Sequence, residues 1–261
     1  MIARNLPAAG MQAEIERLNK IIKALMDRAE RSASIHGSDF NLFHMAVTLE
    51  DQVRQRTREL EAALLENEKI TRALRESERR IQQLAFYDTL TGLPNRRLMI
   101  DRMAQVIGAC RRSGRYGALI FLDLDNFKPL NDCHGHEMGD LLLVEVARRI
   151  TECVRAIDTV ARFGGDEFVV ILGELDTDRA RSVAQAAQVA EKIRGVLAEP
   201  YLLQRKLADG TASTVEHRCT SSVGVALVNG QSAAQDEVLK QADAAMYKSK
   251  VSGRNRVCFT D

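Results

Sequence analysis

Two short stretches place carboxylates where a folded chain has difficulty keeping them. Ala118-Leu119-Ile120-Phe121-Leu122 is a continuous apolar run of the kind a strand buried on both faces requires, and it ends abruptly in Asp123-Leu124-Asp125. Acidic side chains at the end of a central strand are costly unless they are paired, solvated or bound to cations. In Arg162-Phe163-Gly164-Gly165-Asp166-Glu167-Phe168 a turn separates two strand-like stretches, and its glycines permit positive φ and close approach of a ligand to the backbone. If the two strands are neighbours, Asp123, Asp166 and Glu167 converge. Three carboxylates at adjacent strand ends form an oxygen-rich site for hard divalent ions such as Mg²⁺. Two such ions clamping a phosphate are the general arrangement for nucleotidyl transfer. A Gly-Gly-Asp-Glu turn by itself is most often a solvated hairpin, and its weight here comes from the rest of the chain.

The chain has 261 residues, of which 45% are apolar and 28% charged. This composition excludes collagen-like and broadly disordered classes. Apolar runs such as Ala118 to Leu122 and Leu141 to Val144 are far too short to span a bilayer, so no membrane insertion is expected. The first residues carry no basic region followed by an apolar core, which argues against a secretory signal. Cys110, Cys133, Cys153, Cys219 and Cys258 are odd in number and never spaced as CxxC, a pattern of reduced thiols rather than a disulfide frame or structural zinc site. A net charge of +1 gives no bulk attraction to nucleic acid, so none is expected as a partner. The expected location is cytoplasmic.

The carboxylates need elements to position them. Between Gly37 and Gly92 neither glycine nor proline occurs, and the stretch is rich in Glu, Arg, Leu and Ala, which predicts one long helix over about 40–85, roughly 70 Å at 1.5 Å per residue. Ala46, Leu49, Val53, Leu60, Ala63, Ile70, Leu74, Ile81 and Leu84 share a heptad seam, interrupted by Arg56, Asn67 and Ser77. Asn67 falls at an a position, where a buried Asn fixes register and favours two parallel strands. One chain of this size cannot bury that seam, so a parallel homodimeric coiled coil is expected. A shorter pattern (Met11, Ile15, Leu18, Ile22, Leu25, Ala29) predicts a first helix before a break at 32–39, with the long helix capped near Ser38 or Asp39. That first helix reads as part of a small bundle with its dimer mate, or as a docking platform for a regulatory protein. Beyond residue 86, helices are predicted over 94–112, 139–156, 178–198 and 234–250, and strands over 117–124, 159–163, 168–173, 218–228 and 255–259. The order gives an α/β sandwich with an antiparallel hairpin inside its sheet. The expected organisation is a short helix and loop over 1–37, a coiled coil over 38–87 and an α/β domain over 88–261.

Gly164-Gly165-Asp166-Glu167-Phe168 resembles the signature of the GGDEF family of diguanylate cyclases. Three further blocks agree with it in order and spacing. Asp88 to Arg97 is similar to the family's entry motif, directly after the linker helix. Leu122 to Asp132 with Gly135 to Asp140 is similar to its substrate-binding segment, and Ala242 to Asn255 to its C-terminal helix and turn. The resemblance spans about residues 86–261. It implies a nucleotidyl-cyclase fold, palm-like with a ferredoxin-like core, preceded by an all-α coiled-coil segment, and condensation of two GTP molecules to cyclic di-GMP with release of two pyrophosphates.

Carried over residue by residue, the resemblance makes Asp123, Asp166 and Glu167 the catalytic set. These would hold two Mg²⁺ ions per half-site, or Mn²⁺, with the carbonyl of Leu124. Asn131 and Asp140 would read the guanine edge, for which adenine has no comparable donors, so strict use of GTP is expected. Lys128, Lys250 and Arg254 would neutralise the triphosphate, and Gly164 and Gly165 would lie against the nucleotide. The base for the 3′-hydroxyl stays open between Asp166, a metal-bound water and hydroxide. Asp125 is expected only to stabilise the fold, and Asp88, Arg96 and Arg97 to secure the linker helix. Arg155 and Asp158, an Arg-x-x-Asp ending five residues before Gly164, resemble the family's inhibitory product-binding motif, with Lys192 or Arg194 as a second contact. One site holds one GTP while the product needs two, so two domains must face each other with two-fold symmetry, and a coiled coil raises their local concentration. The competing readings are a non-catalytic module that senses GTP or cyclic di-GMP, and a structural adaptor.

Overall fold

The computed structural model describes residues 8–32, 38–206, 212–230 and 235–260. It divides into two compact units, one ending at Ser77 and one beginning at Glu78. The first contains α1 (Ala8–Ser32) and most of α2 (Ser38–Phe86), the long breaker-free helix. Ile22 of α1 is buried, whereas Leu18, Ile21 and Leu25 are exposed. On α2 the seam residues Leu49, Leu60, Ile70, Leu74, Ile81 and Leu84 are all exposed, so the stripe is left uncovered by a single chain. Pairs such as Glu50–Arg54 and Arg56–Glu59 lace the helix surface at i,i+4 and i,i+3. The break foreseen at 32–39 falls largely outside the described residues, and α2 begins at Ser38.

In the second unit α3 (Arg96–Ser113) starts on Asn95, whose side chain accepts from the N–H groups of Arg97 and Leu98, and ends on Gly114 in the left-handed region. Then follow β1 (Gly117–Asp125), α4 (Phe127–His134), α5 (His136–Cys153), β2 (Thr159–Gly164), β3 (Glu167–Leu172), α6 (Arg179–Leu197), β4 (Tyr201–Lys206), β5 (Ala212–His217), β6 (Thr220–Val228), α7 (Gln235–Val251) and β7 (Arg256–Phe259). Five strands form one sheet in the order β2-β3-β1-β6-β7, with β1 antiparallel to both neighbours and β7 parallel to β6. Residues alternate across β1 with period two. Ala118, Ile120, Leu122 and Leu124 join a core with α5 and α6. Leu119 and Phe121 join another with Met99 and Met103 of α3 and Ala242 and Met246 of α7. By the same alternation Asp123 and Asp125 lie on the α3/α7 face. There α7 rests directly on β6, because a Cβ at Gly224 would come within 2.1 Å of both the Ala242 carbonyl oxygen and the Met246 nitrogen.

Two elements differ from expectation. The helix predicted over 139–156 starts at His136 and is preceded by a separate one, α4. Pro129 is the third residue of α4, where a missing N–H costs nothing, and Gly135 at φ 84° turns the chain into α5. The strand predicted over 218–228 begins at Thr220, and the residues before it pair as a separate two-stranded sheet, β4–β5. Tyr201 anchors that hairpin: its hydroxyl donates to the Leu197 carbonyl at 3.0 Å, and the Arg149 guanidinium lies 3.8 Å from its ring centroid.

Candidate active site

The antiparallel register between β1 and β3 pairs Asp123 with Glu167 directly across the strands. This is the convergence expected of neighbouring strand ends. Asp166 lies one residue earlier, at the turn, where its carbonyl accepts from the Leu124 N–H at 3.3 Å. The three carboxylates do not close into a cage: among the described residues no group of three acidic, His or Cys side chains is placed to hold an ion unaided. Lys250 Nζ occupies the near side of the site instead, 2.8 Å from Asp123 Oδ2.

Electrostatics nevertheless mark the pair. Burial pushes the Asp123 carboxyl above its usual range, and the charges of Asp166 and Asp125 add to that against the pull of Lys250. Burial likewise raises Glu167, with Asp123 and Asp166 contributing repulsion. Crowded carboxylates short of donors suit a hard divalent ion. Mg²⁺ is commonly held by one or two carboxylates together with substrate phosphates rather than by an all-protein cage, so the residues present fit it.

The turn is open. A Cβ at Gly164 or Gly165 would meet nothing within 4 Å, so packing does not demand these glycines, whereas Gly165 at φ 54° needs glycine's backbone freedom. Asp125 is nearly fully buried and satisfied: it accepts from the hydroxyls of Thr220 (2.6 Å) and Ser222 (2.7 Å) and from the Asn255 N–H (3.2 Å). Arg254, itself at φ 61°, stands with Nε 4.0 Å from Asp125 Oδ1.

Asn131 and Asp140 lie on α4 and α5, around the Gly135 corner. Asn131 Oδ1 is buried without a hydrogen-bond partner among the described residues, and a Cβ at Gly139 would come within 1.9 Å of it. An orphan acceptor of this kind is costly and suits an incoming N–H. Lys128 and Asp140 are exposed and, among the described residues, make no side-chain hydrogen bond or ion pair. Arg155 and Asp158 share one turn: Asp158 accepts from the N–H groups of Arg155 (3.0 Å) and Gly173 (3.3 Å). The suggested second contacts are already engaged, Lys192 with the Cys153 carbonyl and Arg194 with Glu191 and Asn255.

Sequence reasoning gave no role to Arg162. Its guanidinium donates from Nη1 to both Asp88 oxygens, at 3.1 and 3.2 Å, and from Nε and Nη2 to the Gly165 carbonyl, at 3.0 and 2.7 Å. Arg96, beside it, lies 4.6 Å from the Phe163 ring centroid, and Arg97 lies 5.1 Å from that of Phe86. A further cavity of about 420 Å³, lined by Glu167, Arg96, Phe163, Lys240 and Asp243, adjoins the acidic pair. An arginine two residues before a Gly-Gly turn was the available signal.

Residues 85–256 match the family described as diguanylate cyclase, GGDEF domain. The bifunctional diguanylate cyclase/cyclic di-GMP phosphodiesterase MucR of Pseudomonas aeruginosa is 45% identical over 187 residues, 72% of this chain and 25% of that protein. The solved coiled coil and GGDEF domain of DgcB from Caulobacter crescentus, in complex with c-di-GMP, is 30% identical with a TM-score of 0.64, covering 77% of this chain and 98% of that one. Diguanylate cyclase SiaD of Pseudomonas aeruginosa, solved with its activator SiaC, is 26% identical with a TM-score of 0.58, covering 98% of this chain and 92% of that one. The chain spans less than half the length of the curated relatives it matches. No described helix is long and apolar enough to cross a membrane.

Proposed function

Because the chain belongs to the GGDEF family of diguanylate cyclases, with that family's nucleotidyl-cyclase fold behind a long N-terminal helix, we propose that it condenses two GTP to cyclic di-GMP and two pyrophosphates as a homodimer, one GTP per half-site. The observation that carries this reading is the cross-strand pair Asp123–Glu167, raised by burial and mutual repulsion beside an open Gly-Gly turn. Asp123 and Glu167, with Asp166 and the Leu124 carbonyl, would hold Mg²⁺ or Mn²⁺, two ions per half-site. When bound, such ions neutralise the reacting phosphate.

The protein's own groups do the rest. Asn131, whose buried Oδ1 awaits a donor, and Asp140 take the guanine edge. Lys250 exchanges its bond to Asp123 for triphosphate oxygens, joined by Lys128 and Arg254, and Gly164 and Gly165 leave room above the turn for the α-phosphate. In each half-reaction the 3′-hydroxyl oxygen of one GTP bonds to the α-phosphorus of the other, the bond to pyrophosphate breaks, and the hydroxyl proton would pass to Asp166, a water or hydroxide. Two sites must therefore face each other. The uncovered α2 stripe supports a parallel coiled coil as the device that brings them together, with Asn67 fixing register. An Asn67→Leu variant of unchanged oligomeric state would remove that role.

Arg155 and Asp158 are the proposed site of product inhibition, with guanidinium on phosphate and carboxylate on guanine. Because Asp158 already binds two backbone N–H groups, it would meet product only through its remaining lone pairs. A regulatory protein at the N-terminal helices is supported by the exposed apolar residues of α1 and by the likeness to a cyclase solved with its activator.

One observation favours a second reading, a non-catalytic module sensing GTP or cyclic di-GMP: Asp123 is paired with Lys250 at 2.8 Å. Incubation of nucleotide-free protein with Mg²⁺ and GTP, beside an Asp166→Ala/Glu167→Ala variant and an ATP reaction, separates the two. Cyclic di-GMP from the wild type alone, and from GTP alone, is the expected result. Nucleotide binding without product from an intact dimer would select the sensing module.

A further inference from the structure

The last turn of α2 and the Gly164–Gly165 turn are joined by a continuous series of hydrogen bonds. Asn95 donates from Nδ2 to the Ala85 carbonyl at 3.0 Å and from its main-chain N–H to the Phe86 carbonyl at 2.9 Å, folding the chain back onto the end of the helix. The Asp88 N–H donates to the Leu93 carbonyl at 2.8 Å, and its carboxylate accepts from the N–H and hydroxyl of Thr91, which fixes its rotamer. Arg162 spans the remaining gap, from both Asp88 oxygens to the Gly165 carbonyl. Its own N–H donates to the Pro94 carbonyl at 3.0 Å. The Arg162 and Asp88 side chains are only 14% and 22% exposed, so water competes weakly for the bonds between them, whereas the Gly165 carbonyl lies at the exposed turn.

The geometry matters because of what the turn lacks. Gly165 is in the left-handed region, with nothing within 4 Å of where a side chain would sit, so no packing limits its position. Such a turn keeps most of its backbone freedom unless donors outside it supply the restraint. Its carbonyl belongs to the peptide plane that leads into Asp166, and that carbonyl takes two donors from one rigid, planar guanidinium. From the other side, the Leu124 N–H holds the next carbonyl, that of Asp166. Because the guanidinium is planar, where Asp88 grips one edge determines where the other edge presents its donors.

We propose that Arg162 is a positioning residue: braced by Asp88, it sets the Gly165–Asp166 peptide and with it the placement of Asp166 and Glu167 around the cations. Cation affinity then depends on how the last turn of α2 is seated, with no rearrangement of the core between them. The effect on turnover rests on the cyclase reading, whereas the effect on cation binding does not.

The test uses the full chain and three readouts: Mn²⁺ affinity by calorimetry in the presence of a non-hydrolysable GTP analogue, kcat and KM for GTP, and thermal unfolding. Arg162→Lys keeps a charge for Asp88 but cannot span both partners. It should weaken Mn²⁺ binding and lower kcat by about 10–100-fold, the range seen when residues supporting metal ligands are lost. KM for GTP should stay within about 2-fold. Asp88→Asn keeps an acceptor for Thr91 but loses the ion pair, and should move Mn²⁺ affinity and kcat in the same direction by a smaller factor. Wild-type Mn²⁺ affinity and kcat in Arg162→Lys, whatever its melting temperature, would reduce the contact to a staple and overturn the proposal. A rise in KM with kcat intact would overturn it too, by assigning Arg162 to substrate binding. If the wild type makes no cyclic di-GMP, the cyclase reading fails while the Mn²⁺ measurement still decides the role of Arg162.

Discussion

Asp123 and Asp125 lie two residues apart on the same face of one strand, in opposite surroundings. Around Asp125 the protein supplies two hydroxyls, a backbone N–H and a distant guanidinium, and Cys219 closes the region by donating to the Asp125 carbonyl. Around Asp123 there is one ammonium, a facing glutamate, and an open glycine turn. A buried carboxylate whose lone pairs are filled by the fold is a structural part. One left short of donors and pressed by like charges has the chemistry that suits a cation, and the fold bears the cost.

The sharpest way to break this contrast is to neutralise the under-bonded pair. Glu167→Gln or Asp123→Asn should lower cyclic di-GMP formation by at least about 10²–10³-fold, as expected when a principal electrostatic contact to the reacting phosphate is lost. The metal-free melting temperature should stay level or rise, because repulsion is relieved. Chromatography of products and calorimetry check the two halves, and a large drop in melting temperature would place Glu167 with the structural acids. Asp125→Ala should do the reverse. Leaving the Asn255 N–H and two hydroxyls without their acceptor should cost roughly 3 kcal/mol in urea unfolding.

A smaller effect appears with pH. A carboxyl whose folded-state value lies above its unfolded one binds more protons when folded, so stability falls as pH rises between the two. For Asp123 and Glu167 that fall starts near the ordinary values of 3.8 and 4.5 and is complete above the raised ones. In EDTA, Glu167→Gln should therefore melt higher than wild type at neutral pH, with the gap closing toward pH 4. A gap independent of pH would mean that the repulsion is not between ionised groups. The mildest test concerns thiols. Burial, with the charges of Asp125, Asp166 and Asp123, pushes Cys219 up to about 12, and burial also raises Cys110 and Cys153. At pH 8 a thiol reagent should label exposed Cys133 well ahead of these, and fast labelling of Cys219 would show the Asp125 region to be open.

Much of the acidic end of the sheet was legible in the residues. The apolar run of β1 breaks at Asp123 and Asp125, although the strand itself continues to Asp125, and Gly164–Gly165 before Asp166 and Glu167 reads as a turn whatever the fold. The separate role expected for Asp125 also follows, since β6 brings Thr220 and Ser222 against it. Short elements were less legible. Helix α4 has only eight residues with a proline inside, too few turns to show a period, and β4 has only six residues. Arg162 could not be given a role because its partners lie far apart in the chain, at Asp88, and in a backbone carbonyl, which has no sequence signature. The α2 stripe was visible as a heptad because helical period survives over many turns, and its Leu and Ile side chains are exposed among the described residues.

The contact of α7 with β6 at Gly224 has a consequence in mechanical tolerance. Where helix and strand touch main chain to main chain, there is no side chain to change rotamer, so the joint has no play. Lys250, near the far end of that helix, inherits its alignment with Asp123 from this seat. A single methyl at residue 224 would act as a shim under the helix one turn before Lys250 and tilt the ammonium off its mark. That makes Gly224→Ala a way to detune the site from the turn of α7 just before Lys250, without altering any group proposed to meet the nucleotide.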